Sequence, residues 1–472
     1  MSTTIPADLF NQAIPAVKPR LDPAFRPAVL VNRVFRRLAR ESGAGVPVRL
    51  ALEQADGSVF HHATEILPAA HPLAAANFLH LERMVKFLMW SRGGYRVYVD
   101  GPADLGTQLQ RHFTDTATGR FDADIMGTRI YEHPFEVVLT RDLPREHAAT
   151  MPLGRHLDGC RIGFDLGGSD RKVAAVIDGN VVFSEETVWD PYHQPDPQYH
   201  FDGIMDSLRK AAAHLPKVEA IGGSAAGVYV NNQVKVASLF RGVPADVFQK
   251  RVKRMFFDVQ KAWGGIPLEV VNDGEVTALA GSMSAGRNGV LGLALGTSQA
   301  AGYVNNEGNI TSWLNELAFA PVDYAPQAPC DEWSGDAGCG VQYFSQQAVG
   351  RLLAPAGISL PAELPLPKKL KEVQKLMEQG DRRTHKIFET IGVYLGYAIA
   401  HYAELYAFQN VLILGRVTSG CGGEIILFQA RHVLDTEFRD LSQHVTLMTP
   451  DEKDKRHGQA IAAASLPKIQ RA

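Results

Sequence analysis

The stretch GFDLGGSDRKVAAVIDG, Gly163 to Gly179, decides how the rest of the chain is read. An apolar run ends in Asp165. Gly167, Gly168 and Ser169 follow, then Asp170, Arg171 and Lys172, then a second apolar run. The pattern predicts two strands joined by a tight bend. Glycines in such a bend let backbone approach a ligand, and exposed N–H groups can cradle phosphate oxygens. For one turn alone, the competing reading is ordinary hairpin chemistry. Asp165 would repel phosphate unless a cation lay between them, and Mg²⁺, which keeps its waters, is the natural intermediary. The plainer alternative is a turn aspartate that bonds its own backbone.

Two more glycine turns close apolar runs further along. They are Gly296-Thr297-Ser298 in GVLGLALGTSQAAGYV and Gly415 to Gly420 in NVLILGRVTSG. Three such turns in one chain favour a shared phosphate ligand over three unrelated hairpins. No GxxxxGK[ST] occurs, and no GxGxxG opens a βαβ unit, so a P-loop and a dinucleotide fold are unsupported. In VVNDGEVTALAG, Asn272 and Asp273 stand between a buried strand and a helix. Either can cap the helix. The alternative is that Asp273 is a general base and Asn272 fixes substrate hydroxyls. CDEWSGDAGC, Cys330 to Cys339, is rich in acids but has no zinc spacing and no nearby histidine, and reads as a loop.

At 472 residues the chain exceeds a single core, and ordinary domain sizes suggest roughly three units. A formal charge of −3 and no basic stripe argue against nucleic-acid binding. Cys160, Cys330, Cys339 and Cys421 are scattered without a CxxC, as in a cytoplasmic protein with reduced thiols. The start, MSTTIPADLFNQAIP, is no secretory signal. The apolar run Ile391 to Leu414 contains His401, Glu404, Gln409 and Asn410, so it predicts a buried helix and strand rather than a membrane span.

Residues 1–155 read as an α+β block. Helical patterns are VNRVFRRLARES and NFLHLERMVKFLMWS, with two strands around Ala55-Asp56-Gly57 and a third at YRVYVDG. RFDADIMGTRIYEHPFEVVLT alternates like strands. A charged, Pro- and Gly-containing linker covers 141–159. Beyond it strands and helices alternate, as in α/β architecture, with PADVFQKRVKRMFFDVQKAW expected as one long helix. The strand–turn–strand unit at Asp56-Gly57 faintly echoes that at Asp178-Gly179.

Together the turns resemble the sugar-kinase branch of the actin/hexokinase/Hsp70 superfamily, and within it the ROK family (repressors, open reading frames, kinases), from Arg161 to Ser465. DLGGSDRKVAAVIDG is similar to the family's DxGGT phosphate loop, VNDGEVTALAG to its NDxNAAALGE segment, and LGLALGTSQAAGYV to its LGTGIGGG loop. NVLILGRVTSGCGG resembles the adenosine-side GGG segment and HGQAIAAAS the closing GAAxLA helix. The resemblance implies a two-lobed, actin-like (ribonuclease H-like) α/β fold. The lobes would be 156–271 and 272–472, the last helix returning to the first lobe, with an extra α+β domain at 1–155.

It further implies ATP in the cleft and transfer of its γ-phosphate to a sugar hydroxyl. Asp165 would organise Mg²⁺ through water. Gly167, Gly168, Ser169, Gly296, Thr297 and Ser298 would line the phosphates, and Gly415 and Arg416 would lie near adenosine. Asn272 and Glu316 would bind sugar, and Asp273 would bind it and take the hydroxyl proton. A cytoplasmic homodimer acting on small molecules, without nucleic acid or membrane, completes the expectation.

The chain departs from the family pattern in several places. NELAF keeps Glu316 but puts Phe319 where the family's ExGH has a sugar-binding histidine. Against the zinc loop CxCGxxGCxE, Glu332 and Ser334 replace cysteines and Val341 replaces the sugar-binding glutamate, so no structural zinc is expected. Ser169-Asp170 replaces Thr-Lys, and Glu275 stands at an asparagine position. The first block lacks a basic recognition helix, which disfavours a transcription factor. The alternative function is a nucleotide- or sugar-binding sensor without turnover. A related ATPase with an iron–sulfur cluster is disfavoured by the scattered cysteines.

Overall fold

The computed structural model describes residues 7–148, 153–450 and 458–469. Part of the expected linker and His457 of the closing motif lie outside them. Among the described residues no helix is long and apolar enough to cross a membrane.

The first sheet holds β1 (Val46–Glu53), β2 (Val59–Ile66), β3 (Arg96–Asp100) and β4 (Glu136–Leu139), in the order β2-β1-β3-β4. Its helices include Ala28–Glu41 and Ala76–Arg92. The second sheet runs β11-β8-β5-β6-β7. Here β5 (Cys160–Leu166), β6 (Asp170–Ile177) and β7 (Asn180–Val188) form an antiparallel meander. Strands β8 (Ala220–Ala225) and β11 (Leu268–Asn272) add in parallel on the other side of β5. A small hairpin, β9 (Val228–Val230) with β10 (Gln233–Val236), lies between them in sequence. The third sheet runs β13-β12-β14-β15: an antiparallel hairpin of β12 (Val290–Leu295) and β13 (Gln299–Val304), then β14 (Asn410–Leu414) and β15 (Thr446–Met448) in parallel.

The second and third sheets thus repeat one plan, a glycine-turn hairpin followed by parallel strands. This is the internal repeat of the molecule, and it pairs the turn after Asp165 with the turn at Gly296. The two Asp-Gly turns of the faint echo also each join an antiparallel pair, β1 with β2 and β6 with β7. Every residue of β5 and β8 is buried, which explains their unbroken apolar character. The helix Gly458–Ala464 lies across both strands. A Cβ on Gly163 would come within 1.9 Å of Ala460 O, and one on Gly222 within 1.7 Å of Ala463 O, so only glycine lets that helix backbone sit so close.

Residues before 148 do not keep a core to themselves. Phe25, Phe35, Phe87 and Trp90 belong to one apolar cluster with Leu293, Tyr343, Tyr394 and Ile413, which lie beyond residue 290. The segment around residue 20 straps the helix Arg382–Tyr402: Leu21 N donates to Thr390 Oγ1 at 3.3 Å and Tyr394 Oη donates to Asp22 Oδ2 at 2.6 Å.

Three stretches differ from the sequence pattern. RFDADIMGTRIY is helical, Ala117–Ala123 continuing as a π-helix over Asp124–Tyr131, and only Glu136–Leu139 is a strand. Asp122 is the reason, since it accepts bonds from Lys86 Nζ at 2.7 Å and Trp90 Nε1 at 3.1 Å, and these buried partners override strand-like alternation. Residues 244–263 break into Ala245–Val247, a π-turn at Phe248–Val252, and Met255–Ala262. There the Lys253 carbonyl accepts from Val234 N at 3.2 Å rather than continuing the helix. A helix, Ala103–Asp115, occupies a segment given no element in the sequence reading.

Candidate functional site

The C-terminal end of β5 delivers Asp165 opposite Ser224 of β8 and Lys172 of β6. Ser224 Oγ donates to Asp165 Oδ1 at 2.6 Å. Lys172 Nζ stands 3.9 Å from Asp165 Oδ2 and 3.2 Å from Asp170 Oδ1. Burial raises the pKa of Asp165 above the usual carboxylate range, opposed by the Ser224 bond and the Lys172 charge. Asp170 and Lys172 share one face of β6, so Lys172 puts a cation beside the turn even though Asp170 fills the position after Ser169. In the turn, Gly167 O accepts from Trp189 Nε1 at 2.8 Å, and Ser169 Oγ donates to Asp170 Oδ2 at 2.8 Å. A Cβ on Gly168 would meet Tyr192 Oη at 2.0 Å, which places that hydroxyl over the turn.

β11 ends two strands away, Asn272 opposite Ala225, which in turn lies opposite Leu166. The helix Asp273–Ala285 starts there. Asn272 is its cap: Gly274 N donates to Asn272 Oδ1 at 2.7 Å, and Asn272 Nδ2 donates to Gly227 O at 2.7 Å. One N–H and one lone pair of this amide remain for a ligand. The capping alternative is therefore realised at Asn272, which leaves Asp273 on the first helical turn. Asp273 is half-buried, and its pKa is pushed up to about 6, first by burial and then by the charge of Asp165. Glu316 is pushed up to about 7 by burial and then by the charge of Asp273. These dependences bring Asp165, Asp273 and Glu316 into one electrostatic neighbourhood although they come from different sheets and loops. Tyr229 on the β9 hairpin belongs to it too, its pKa raised by burial and by Asp273.

Glu275 is a further buried acid on the same helical turn. Asn315 Nδ2 donates to its Oε1 at 3.3 Å. Burial pushes its pKa up to about 8, the Asn315 bond opposing this and the charge of Glu316 adding to it. A raised folded pKa gives a stabilising contribution that is complete below about pH 4 and is lost as pH rises through about 8. Glu275→Gln has no proton to lose. Its unfolding midpoint is expected to fall less than that of the parent between pH 5 and pH 9, by the equivalent of about 1 kcal/mol or more. Parallel thermal melts at the two pH values check this, and equal falls would remove Glu275 as a buried neutral acid.

The Gly296 turn joins β12 to β13, closed by Gly296 N donating to Ser298 O at 2.9 Å. Thr297 and Ser298 are exposed. Because β12 and β14 are parallel and in register, Ala294 against Leu414, this turn and Gly415 emerge side by side. Gly415 has φ +105°, and a Cβ there would lie 2.4 Å from Leu295 O, so both the backbone angle and the close approach require glycine. The helix Asp273–Ala285 ties the two halves together: a Cβ on Gly274 would meet Ala301 O of β13 at 2.4 Å.

A cavity of ≈ 940 Å³ opens beside Gly415 and Arg416, between Thr277 and Ser284 of that helix and Glu424 on the helix Cys421–Glu437. Gly415 and Arg416 line it, whereas Asp165, Asp273 and the Gly296 turn do not. Lys172, Ser224, Tyr192 and Tyr229 were not singled out from the sequence. Strand alternation from Asp170 could have pointed to Lys172; no local pattern marks the other three.

Residues 331–342 carry the largest departure from the family pattern. Ser334 N and Oγ both donate to Asp331 Oδ2, at 2.6 and 2.7 Å. Asp336 Oδ2 lies 2.8 Å from Lys86 Nζ and 3.0 Å from Arg83 Nη2, both on the helix Ala76–Arg92. Burial opposes the charge on Asp336, yet the two cations hold its pKa well below the usual range. Among the described residues no group of three or more His, Cys, Asp or Glu side chains is placed to hold a metal ion. Val341 is buried, and Gln342 Nε2 is engaged by Gln347 Oε1.

No family model and no curated protein sequence matches the chain. Solved structures do. A ROK hexokinase from Thermus thermophilus superposes with a TM-score of 0.51 at 18% identity over 65% of this chain and 98% of that one. A ROK family transcriptional regulator, a homolog of the E. coli MLC protein, superposes with a TM-score of 0.50 at 19% identity over 66% of this chain and 79% of that one. The chain therefore has the fold shared by these ROK proteins.

Proposed function

We propose that this chain, built on the fold of the ROK proteins, is an ATP-dependent kinase that phosphorylates a sugar hydroxyl. The observation that carries the reading is the place of Asp273: a half-buried carboxylate on the first turn of the helix that Asn272 caps, at the end of β11 and two strands from the end of β5 that bears Asp165, with burial and then the charge of Asp165 pushing its pKa up to about 6. A group poised near the working pH suits a general base. Asp273 takes the proton of the acceptor hydroxyl, the freed oxygen attacks the γ-phosphorus, and the bond to the β–γ bridging oxygen breaks to release ADP. Glu316 and the remaining donor of Asn272 hold acceptor hydroxyls.

The N–H groups of Gly167 and Gly296 close their own turns by donating to Asp170 O and Ser298 O, so phosphate oxygens are received by the other backbone N–H groups of these turns, at Gly168, Ser169, Thr297 and Ser298, with Lys172 as a nearby cation. The cavity at Gly415 and Arg416 takes the nucleoside. Asp165 is a hard oxygen donor whose Oδ2 faces a cation only at 3.9 Å. It fits Mg²⁺ held through water, and the ion would neutralise phosphate charge there.

The test is ADP release, followed by a coupled assay across a panel of sugars and glycosides. Acceptor-dependent release is expected. Nucleotide binding with no release for any acceptor would instead establish the sensor reading, which the fold shared with a transcriptional regulator and the side chains Phe319 and Val341 favour.

A further inference from the structure

Between β13 and residue 340 the chain forms no helix and no strand, so its buried backbone groups must find partners elsewhere. Residues 312–316 find them at the end of the helix Ala76–Arg92, whose last carbonyls have no partner within the helix. Leu314 N donates to Arg92 O at 3.1 Å, and Asn315 N donates to Ser91 O at 3.0 Å. Gln54 Nε2 donates to Arg92 O and, at 3.2 Å, to Ser312 O. The Arg92 guanidinium lies 3.2 Å from the centroid of the Trp313 ring. The same helix holds the Trp333 loop through ion pairs of Arg83 and Lys86 with Asp336.

Asn315 is where this anchorage reaches the site. It is 2% exposed and has φ +55°, in the left-handed region that asparagine tolerates better than most residues. The Trp313 carbonyl can only accept, which fixes the way the amide faces. Nδ2 donates to Trp313 O at 3.2 Å and to Glu275 Oε1 at 3.3 Å, and Oδ1 accepts from Tyr406 Oη at 2.9 Å. The bond to Glu275 joins side chain to side chain, and Glu275 shares the first helical turn with Asp273. On the other side, Leu317 N donates to Asn315 O at 3.0 Å, which closes a three-residue turn centred on Glu316. One buried residue thus ties the end of the helix Ala76–Arg92 to the turn that carries Asp273 and to the turn that carries Glu316.

We propose that Asn315 is a positioning residue, through which the N-terminal part of the chain sets Glu316 and the Asp273 turn relative to each other. That these two carboxylates meet an acceptor rests on the kinase reading; the clamp itself does not. Asn315→Gly keeps the left-handed backbone within easy reach and removes the amide. Tyr406→Phe is the milder second variant, since it deletes one hydrogen bond and keeps the ring. Hydrogen–deuterium exchange of the ligand-free protein is expected to quicken about tenfold over residues 312–317 in Asn315→Gly, less in Tyr406→Phe, and not at all in the helix Cys421–Glu437. Steady-state ADP release would be followed with glucose, mannose, galactose and N-acetylglucosamine. Asn315→Gly should raise the acceptor KM about tenfold or more, as a displaced binding group does. The KM for ATP should stay within about twofold, because Asn315 does not line the cavity at Gly415 and Arg416.

Unchanged exchange over 312–317 in both variants overturns the clamp. So does a fall in kcat with both KM values unaltered, the mark of a smaller folded fraction rather than of a displaced group. Quickened exchange in a protein that releases ADP with none of the four sugars counts against the kinase and keeps the clamp. Acceptor-dependent release with unchanged exchange does the reverse.

Discussion

Asp273→Asn lowers kcat by about two to four orders of magnitude, the usual worth of a positioned base, and leaves nucleotide affinity within a few fold. The reasoning is local. The amide keeps the shape of the carboxylate, and the helix cap belongs to Asn272, not Asp273, so the helix Asp273–Ala285 stays anchored. What disappears is the proton acceptor. The parent should also show an acid limb in kcat/KM. Asp273 acts as its carboxylate, and its pKa in the free enzyme is raised to about 6, so the rate falls as pH drops through 6 and is level above. The limb must vanish from the residual activity of the variant. Single-turnover rates and a titration with a fluorescent ADP analogue check the two halves. A variant that turns over at the parental rate would remove Asp273 from the chemistry, whatever the fold.

The parts of the molecule that announced themselves in the sequence are those whose signal is local. The stretch Gly163 to Gly179 is a buried strand, a bend and a second strand, and each step follows from neighbouring residues. The same holds for Gly296 and Gly415, where backbone angle and crowding demand glycine. What stayed hidden depends on partners far along the chain. Lys172 and Ser224 meet Asp165 only because β6 and β8 flank β5 in one register. Residues 117–131 alternate like a strand but coil as helix because Asp122 must reach Lys86 and Trp90. The N-terminal block reads as a domain of its own, yet its aromatic residues share one apolar core with residues beyond 290. Its sheet is short, and no period in the sequence says which neighbour a buried Phe35 or Phe87 will find.

Loss of Lys86 is the largest stability effect expected outside the site. Its Nζ is buried between Asp122 Oδ2 at 2.7 Å and Asp336 Oδ2 at 2.8 Å. Burial alone would lower the pKa of this amine, but the two carboxylates more than offset it and raise it. Lys86→Ala strips the cation from between two buried acids. Arg83 still pairs with Asp336 and Trp90 Nε1 still donates to Asp122, but Asp122 keeps no cation within reach. Breaking a buried pair in this way costs about 3–5 kcal/mol. The cost should depend on pH with a definite sign. Without Lys86, Asp122 can escape only by taking up a proton. Its folded pKa then stands far above the unfolded one, and the deficit shrinks toward pH 5 and grows as pH rises. Lys86→Met with Asp122→Asn leaves no unpaired charge and should recover most of the loss, whereas Lys86→Ala alone should not. Trp90 touches the cluster, so its fluorescence during urea unfolding reports the transition that matters. A midpoint shift worth under about 1 kcal/mol for Lys86→Ala would mean that water reaches these acids, and that the ion pairs do not fix the Trp333 loop to the N-terminal helix.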